Sequence, residues 1–386
     1  MATTFQKCKK DKDEPCTKAR CGHAWTVRYR EPGGRSGRQR EKTFPTKKQA
    51  EAHGNQMEAD KLSGTYVDPK RGAVPLKAYA QKWMERQHMA PNTEGTYDRA
   101  FRLHIYPALG DRLLSSLRPA DIEKLGRDMT TAGLTANSVD AYMTPLRAVC
   151  KAAVTNGDIG RSPFLGAKLP KLPSKAVDET RLPSGQQVQD IADEFRRDWA
   201  LSVWLMAGLG LRTGEMLGLR VGDFLDDRVR VRRQVTRGKK GQGLVIGPLK
   251  HRHEGDWRDI PLPTNLSQAV AAHVAVYGTG TDGALFQNAA TGTLVSTTDY
   301  SAAFRKVIKT LGFEWSPHDL RHWFASTALS RGLPLLDVSR WLGHKSINET
   351  ADTYGHLTPD STGRAIKVMD VAISQHRAGL VLDEAA

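Results

Sequence analysis

Polar and apolar positions alternate with a period of two along residues 24–31, AWTVRYRE, and REKTF at 40–44 reads as a second run of the same kind. Gly33, Gly34 and Gly37 lie between the two, so the pattern predicts two strands joined by a turn. Thr46 precedes the run KKQAEAHGNQMEADKL and is placed to cap a helix there. A hairpin followed by a helix makes a small domain.

The period then changes to that of a helix. VPLKAYAQKWMERQ, PNTEGTYDRAFRLHIYPAL, PADIEKLGRDM and TANSVDAYMTPLRAVCKAAVTN, within about 74–168, each carry it. Thr93, Pro119 and Asn137 or Ser138 mark starts, and Gly110, Gly133 and Gly157 mark stops. From about residue 181 two more helical patterns follow, SGQQVQDIADEFRR and DWALSVWLMAGLGL. The second is apolar nearly all round and belongs in the centre of a core. DRVRVRRQVTR, LVIGPLK and WRDIPLP read as strands, and the remainder is helical again, ending with an amphipathic stretch at about 362–376. TYVDPKRGA at 65–73 and the three-proline segment LPKLPSKAVDETRLP at 169–183 read as linkers. A multidomain chain is expected, mainly α with small β-sheets: 1–66 a hairpin-and-helix domain, 74–168 a helical bundle, and 181–386 a mixed α+β domain. The second linker is long enough to let two domains close around a duplex as a clamp.

Composition narrows what such a chain meets. Its 386 residues carry a formal net charge of +15, with a sequence pI of about 9.7, so a polyanion is expected, nucleic acid before an anionic membrane surface. Between Arg28 and Lys48 eight Lys/Arg face two Glu, a local net of +6. Arg28 and Arg30 alternate with Val27 and Tyr29, which predicts one basic sheet face; a β-ribbon can enter the major groove. Arg28, Arg30, Arg35, Arg38, Arg40 and Lys42 are the candidate DNA contacts, against the alternative of a merely solvated surface. The longest apolar stretch, 199–211, falls well short of the ~20 residues a membrane helix needs, and the N-terminus has no apolar segment of a signal peptide. A soluble cytoplasmic protein with no membrane partner is expected. Four cysteines suit a reduced compartment. Cys8, Cys16, Cys21 and His23 offer three thiols and an imidazole for zinc, although the spacing C-x7-C-x4-C-x-H fits no standard finger or ribbon. Free thiols in a polar leader is the other reading.

The candidate chemistry lies in WSPHDLRHWFASTALSRGLPLLDVSRWLGHKSINETADTYGH, residues 315–356. Pro317 should open a helix, which puts His318 and Arg321, three apart, on one face near its N-terminus, a place suited to anions. His344 follows Gly343, and Tyr354 comes ten residues later. Upstream, Arg212 in LRTGEMLGLR sits between the buried helix and a new one starting near Thr213, and Glu215 is placed to orient Arg212 or His318. Lys250, in GPLKHRHEGDWRDIPLP, falls at the tip between two predicted strands, where a flexible lysine on a hairpin could swing in as a proton donor. Any one of these residues would ordinarily be packing, capping or solvated surface; the spacing of the set suits holding a phosphodiester while a phenol attacks it.

GLRTGEMLGLR, the lysine segment, HDLRHWFAS and WLGHKSINETADTYGH stand in the order and at the spacings of the tyrosine recombinases of the phage-integrase family, and the chain resembles the members with an extra N-terminal arm-binding domain. The resemblance is close in the catalytic domain and looser in the helical core-binding and basic hairpin domains. It implies Tyr354 as nucleophile, Arg212 and Arg321 on the scissile phosphate with His344 in support, Lys250 protonating the leaving 5′ oxygen, and His318 as general acid/base helping to deprotonate the tyrosine. It implies a site-specific integrase acting on attachment sites in double-stranded DNA in a bacterial host, a homo-tetramer linked through the C-terminal tail, and a directionality factor or host DNA-bending protein as further candidate partners. A phenol with a free pKa of ~10 needs cations around it to act as a nucleophile, and guanidinium groups aimed at a phosphorane-like transition state would stabilise its charge. With neither a carboxylate cluster for a divalent metal nor a P-loop in the sequence, no cofactor is expected. A type IB topoisomerase, or a DNA-binding regulator that has lost catalysis, are the competing readings.

Overall fold

The computed structural model describes residues 2–6, 22–33, 36–63, 66, 68, 71–238, 241–250, 252–288, 291–358 and 361–376. Cys8, Cys16, Cys21 and Arg35 lie outside the described residues. The chain divides into two units, 1–173 and 174–386.

The first unit opens on an antiparallel sheet of β1 (Thr3–Gln6), β2 (Trp25–Arg30) and β3 (Gln39–Phe44), with β2 in the middle. β1 falls in the segment read from sequence as a leader. Its four residues are too few to show a period, yet they pair the otherwise open edge of β2. Helix α1 (Lys47–Leu62) packs on the sheet, and the Thr46 hydroxyl caps it by accepting from the Gln49 N–H at 3.3 Å. Arg28 and Arg30 share the face opposite buried Val27 and Tyr29, as their alternation predicts, but the candidate contacts on β3 do not join it. Residues opposed across strands share a face; Arg28 pairs with Glu41, whereas Arg40 pairs with Tyr29 and Lys42 with Val27. Arg28 and Arg30 therefore lie on one side, and Arg40 and Lys42 on the other, with the buried Val27 and Tyr29. Some of the charge is also matched internally, Arg28 by Glu41 at 2.7 Å and Arg40 by Glu31 at 2.5 Å and Asp68 at 2.9 Å. Arg38 is exposed.

The helical part of this unit is α2 (Leu76–Glu85), α3 (Pro91–Ala100), a π turn at Phe101–Ile105, α4 (Tyr106–Leu109), α5 (Pro119–Thr131) and α6 (Ala136–Thr155). Leu76, Phe101, Ile105, Ile122, Met143 and Leu146 are among its buried residues. α3 begins at Pro91 rather than Thr93, because a proline in the first turn already has helical φ and needs no N–H partner. α6 begins at Ala136 rather than at Asn137 or Ser138, because the Thr135 hydroxyl accepts from the Ser138 N–H.

The second unit contains α7 (Gly185–Glu194), α8 (Ala200–Leu209), α9 (Thr213–Leu217), four strands, α10 (Thr264–Tyr277), α11 (Thr297–Thr310), α12 (Pro317–Ser330), α13 (Leu335–Leu342), α14 (Ile347–Tyr354) and α15 (Ser361–His376). As its sequence predicts, α8 is central: Leu201, Val203, Leu205, Met206 and Leu209 are buried, and α7, α10 and α12 pack around it. The predicted strand 227–237 is two strands, β4 (Arg228–Val231) and β5 (Gln234–Arg237). They break at Arg233, whose guanidinium turns to Asp223 at 2.6 Å. β5 pairs with β6 (Leu244–Gly247), and β4 pairs with β7 (Arg258–Pro261). β6 and β7 are therefore not partners, and Lys250 lies in the connection between two separate ladders rather than at the tip of a hairpin. Part of the second predicted linker is also fixed on this unit. The Val177 N–H donates to the Thr353 carbonyl at 2.9 Å, the Val177 carbonyl lies 2.9 Å from His356 Nε2, and Trp315 Nε1 donates to the Arg181 carbonyl at 2.7 Å. Residues on either side of Tyr354 are thus strapped down. α15 leaves Ile366, Val368, Met369, Val371 and Ile373 exposed.

Candidate functional site

Two left-handed glycines bring the charged residues together. α8 ends at Gly210, with φ of 63°, and α13 ends at Gly343, with φ of 66°. A Cβ on Gly210 would lie 2.5 Å from Phe324, so both the turn and the packing of α12 against it require glycine. The carbonyl it presents accepts from Arg321 Nη1 at 2.7 Å, and the other Arg321 nitrogen reaches the Leu342 carbonyl at 2.8 Å. Arg212 caps α9 and sends its guanidinium to the same place, 3.4 Å from the Leu342 and Gly343 carbonyls. His344 is the next residue. Arg212, Arg321 and His344, far apart in the chain, meet at the C-terminus of α13, where the helix dipole favours cations.

Beneath them is a buried carboxylate. Glu215 is fully buried and accepts from the Arg212 N–H at 2.9 Å and from Arg212 Nη1 at 3.0 Å. Arg258 on β7 holds it from the other side with two hydrogen bonds, at 3.0 and 2.6 Å, and donates from Nε to the Trp341 carbonyl at 2.6 Å. Burial alone would raise the Glu215 pKa; Arg258, then Arg212 and Arg321, outweigh it and hold the carboxyl down at about 2. Arg321 is 1% exposed, and burial followed by Arg212 brings its guanidinium down to about 9. Three guanidinium groups thus share one carboxylate. A partly buried excess of positive charge is costly unless an anion joins it, so this arrangement is built to receive one.

Tyr354 ends α14 with 2% exposure, its ring packed among Ala325, Leu329, Val338 and Leu342. Burial raises the phenol to about 12, opposed by Arg321 and Arg212, which act on it electrostatically. His344 is lowered to about 4 by burial and Arg321, and its Nδ1 is hydrogen-bonded to Thr350 Oγ1 at 2.7 Å. His318 is lowered to about 4 by burial, His322 and Arg321. Both imidazoles are neutral at pH 7.

Five of the six catalytic candidates, Arg212, His318, Arg321, His344 and Tyr354, therefore interact in one cluster. The sixth does not join them: Lys250 is exposed and forms no hydrogen bond or ion pair among the described residues. Glu215 orients Arg212, as expected of one of its two candidate partners. The sequence reading missed two residues. His322 Nδ1 lies 2.6 Å from Tyr354 Oη, and its sequence signal is its place four residues after His318 on the same helix face. Arg258 shares a strand face with buried Ile260, an arginine in a position where an apolar residue is expected. Of the four zinc candidates only His23 is described, Cys8, Cys16 and Cys21 lying outside the described residues, and no group of three or more His, Cys, Asp or Glu placed to hold a metal occurs among the described residues.

Residues 185–360 match the model of the phage integrase family, and residues 76–129 match that of the phage integrase N-terminal SAM-like domain. The integrase of Mycobacterium phage FRAT1 is 26% identical over 281 residues, 70% of this chain and 81% of that protein. A XerC-like tyrosine recombinase of Caldanaerobacter subterraneus subsp. tengcongensis is 24% identical over 354 residues, 84% of this chain and 90% of that protein. Among solved structures, the Tn1549 transposon integrase in complex with a circular intermediate DNA aligns with a TM-score of 0.64 at 18% identity, covering 78% of this chain and 99% of that one. A lambda integrase tetramer bound to a Holliday junction aligns with a TM-score of 0.55 at 16% identity, covering 84% of this chain and 94% of that one.

Proposed function

The chain belongs to the phage integrase family and is a tyrosine recombinase, and from that premise we propose that it cuts and rejoins duplex DNA at attachment sites through a 3′-phosphotyrosyl bond on Tyr354. The observation that carries this reading is the convergence of Arg212 and Arg321 on the Leu342 carbonyl, beside His344 and with electrostatic reach to the Tyr354 phenol. The scissile phosphate supplies the anion that the cluster lacks. Its non-bridging oxygens take the two guanidinium groups, with His344 as a further donor, and these contacts strengthen as the phosphorane-like transition state gathers charge. His318 serves as a general acid/base beside them. Lys250 reaches the leaving 5′ oxygen once DNA is bound. The phosphotyrosyl bond conserves the energy of the broken phosphodiester, so rejoining needs no nucleotide.

Residues 1–66 act as the arm-type DNA-binding domain, with Arg28, Arg30, Arg38 and Lys42 as the accessible contacts; 74–168 as the core-binding domain; and 181–386 as the catalytic domain. The exposed apolar face of α15 docks on a neighbouring protomer and builds a tetramer on DNA. A directionality factor or a host DNA-bending protein sets the direction of the reaction. Among the described residues no helix is long and apolar enough to cross a membrane, and the site of action is DNA in the cytoplasm of a bacterial host.

The test is covalent trapping on nicked duplexes drawn from the DNA flanking the gene. A 3′ adduct that Tyr354→Phe abolishes is the expected result. Absence of any adduct would remove the enzymatic reading, and relaxation of plasmids without a defined site would point to a topoisomerase.

A further inference from the structure

The family resemblance gives His318 a share in deprotonating the tyrosine, but the phenol is hydrogen-bonded to a different histidine. We infer that His322 is the catalytic base for Tyr354: its Nδ1 accepts the phenolic proton as the Oη–phosphorus bond forms, and the groove on the other side of the ring carries that charge away. The inference rests on the reading of Tyr354 as the nucleophile.

Three histidines stand in the cluster, and their hydrogen bonds separate them. His344 Nδ1 is taken by Thr350. The His318 backbone N–H is capped by Ser316, while its ring packs edge-on against His322, with centroids 4.6 Å apart. His322 alone of the three is hydrogen-bonded to the tyrosine, Nδ1 to Oη at 2.6 Å. A phenol at 2% exposure, raised to about 12, keeps its proton at neutral pH and needs an acceptor. His322, lowered by burial, is neutral there, and a neutral imidazole with its proton on Nε2 offers a lone pair at Nδ1.

His322 also has an outlet. Its side chain lines a groove of about 620 Å³ shared with Val177, Arg181, Trp315 and Asp319. The step balances as follows. Oη bonds to phosphorus while the P–O5′ bond breaks, and the phenolic proton moves to Nδ1. Nε2 then releases its proton to water in the groove, and the leaving oxygen is protonated separately by the acid assigned to Lys250. Religation runs the same path in reverse. His318 keeps its general acid/base role at the phosphate, alongside Arg321, and gives up only the tyrosine's proton.

The experiment uses the full chain and a nicked duplex from the DNA flanking the gene, made with either oxygen or sulfur at the bridging 5′ position. Sulfur leaves without an acid, so the sulfur substrate reads tyrosine deprotonation by itself. His322→Asn keeps a hydrogen-bond acceptor near the position of Nδ1 but cannot take a proton. It is expected to slow adduct formation by ~10²-fold or more on both substrates, the range of a lost general base. His318→Asn is expected to spare the sulfur substrate more than His322→Asn does. A His322→Asn rate on sulfur within a few-fold of the native rate would overturn the inference, because holding the phenol would then suffice. So would a defect confined to the oxygen substrate, which would move His322 to the leaving group. If neither chain forms an adduct, the failure belongs to the nucleophile reading. If the variant does not fold, nitrogen-15 NMR of the native chain decides: Nδ1 must be the unprotonated nitrogen and must shift in Tyr354→Phe, and an Nδ1–H tautomer overturns the inference.

Discussion

Arg258→Met removes the guanidinium on which the site's foundation depends. Arg258 is 6% exposed and joins three elements, β7 itself, Glu215 at the start of α9 and the Trp341 carbonyl at the end of α13. Without it Glu215 stays buried with hydrogen bonds from Arg212 and only an electrostatic contribution from Arg321, and the Trp341 carbonyl loses a charged donor. Deleting one partner of a buried ion pair costs ~3–5 kcal/mol. The depression of Glu215 from 4.5 to about 2 corresponds to about 3 kcal/mol of stabilisation of its charged form, in the same range. For a unit of this size each kcal/mol moves Tm by ~2–4 °C, so a fall of ~6–20 °C is expected. Differential scanning calorimetry of the full chain is the assay, with the loss confined to the transition of unit 174–386. The double variant Glu215→Leu/Arg258→Met should lose less than the sum of its singles by well over ~0.5 kcal/mol, since it leaves no orphaned charge. A shift of under ~2 °C for Arg258→Met, or additivity in the double variant, would refute the reasoning.

Arg212→Ala should slow strand cleavage by at least ~100-fold while DNA affinity, measured by mobility shift at fixed salt, changes little; near-native cleavage would remove it from the phosphate. His318 and His344 fall from an ordinary 6.5 to about 4 in the folded chain, whereas the unfolded chain protonates near 6.5. Their stabilisation is therefore fully present above ~6.5 and lost as pH falls toward 4, with Glu215 adding a further loss only below ~4.5. Tm followed from pH 7.5 to 4.5 should drop, and His344→Gln should flatten part of the slope; a level curve for the native chain contradicts the assignment. Deleting residues 361–386 should leave the Tm of both units unchanged while abolishing tetramers on DNA in mass photometry, and persistence of tetramers would remove α15 from assembly.

Helices with a strong period and clear ends could be read from the residue order alone. α8, apolar all round, had only the centre of a core to occupy, and Pro317 opened α12 where a first-turn proline fits. The integrase reading was legible there too, because His318 and Arg321 lie three apart on one helix face and the segments with Arg212, His344 and Tyr354 stand in the order and spacing of the family they resemble. Tertiary structure alone decided how strands pair. A run such as 227–237 carries its alternation whichever partner it takes; it divides where Arg232 and Arg233 turn to Asp223, and the pairing of its halves with two different strands removes Lys250 from a hairpin. Register likewise decided that Arg40 and Lys42 leave the face that bears Arg28 and Arg30. Arg258 and His322 owe their places to contacts 43 and 32 residues away in the chain, made by a strand and a helix end whose positions no local pattern encodes. Period and capping act within a few residues, whereas a buried charge network is selected by which side chains the packed core leaves facing one another.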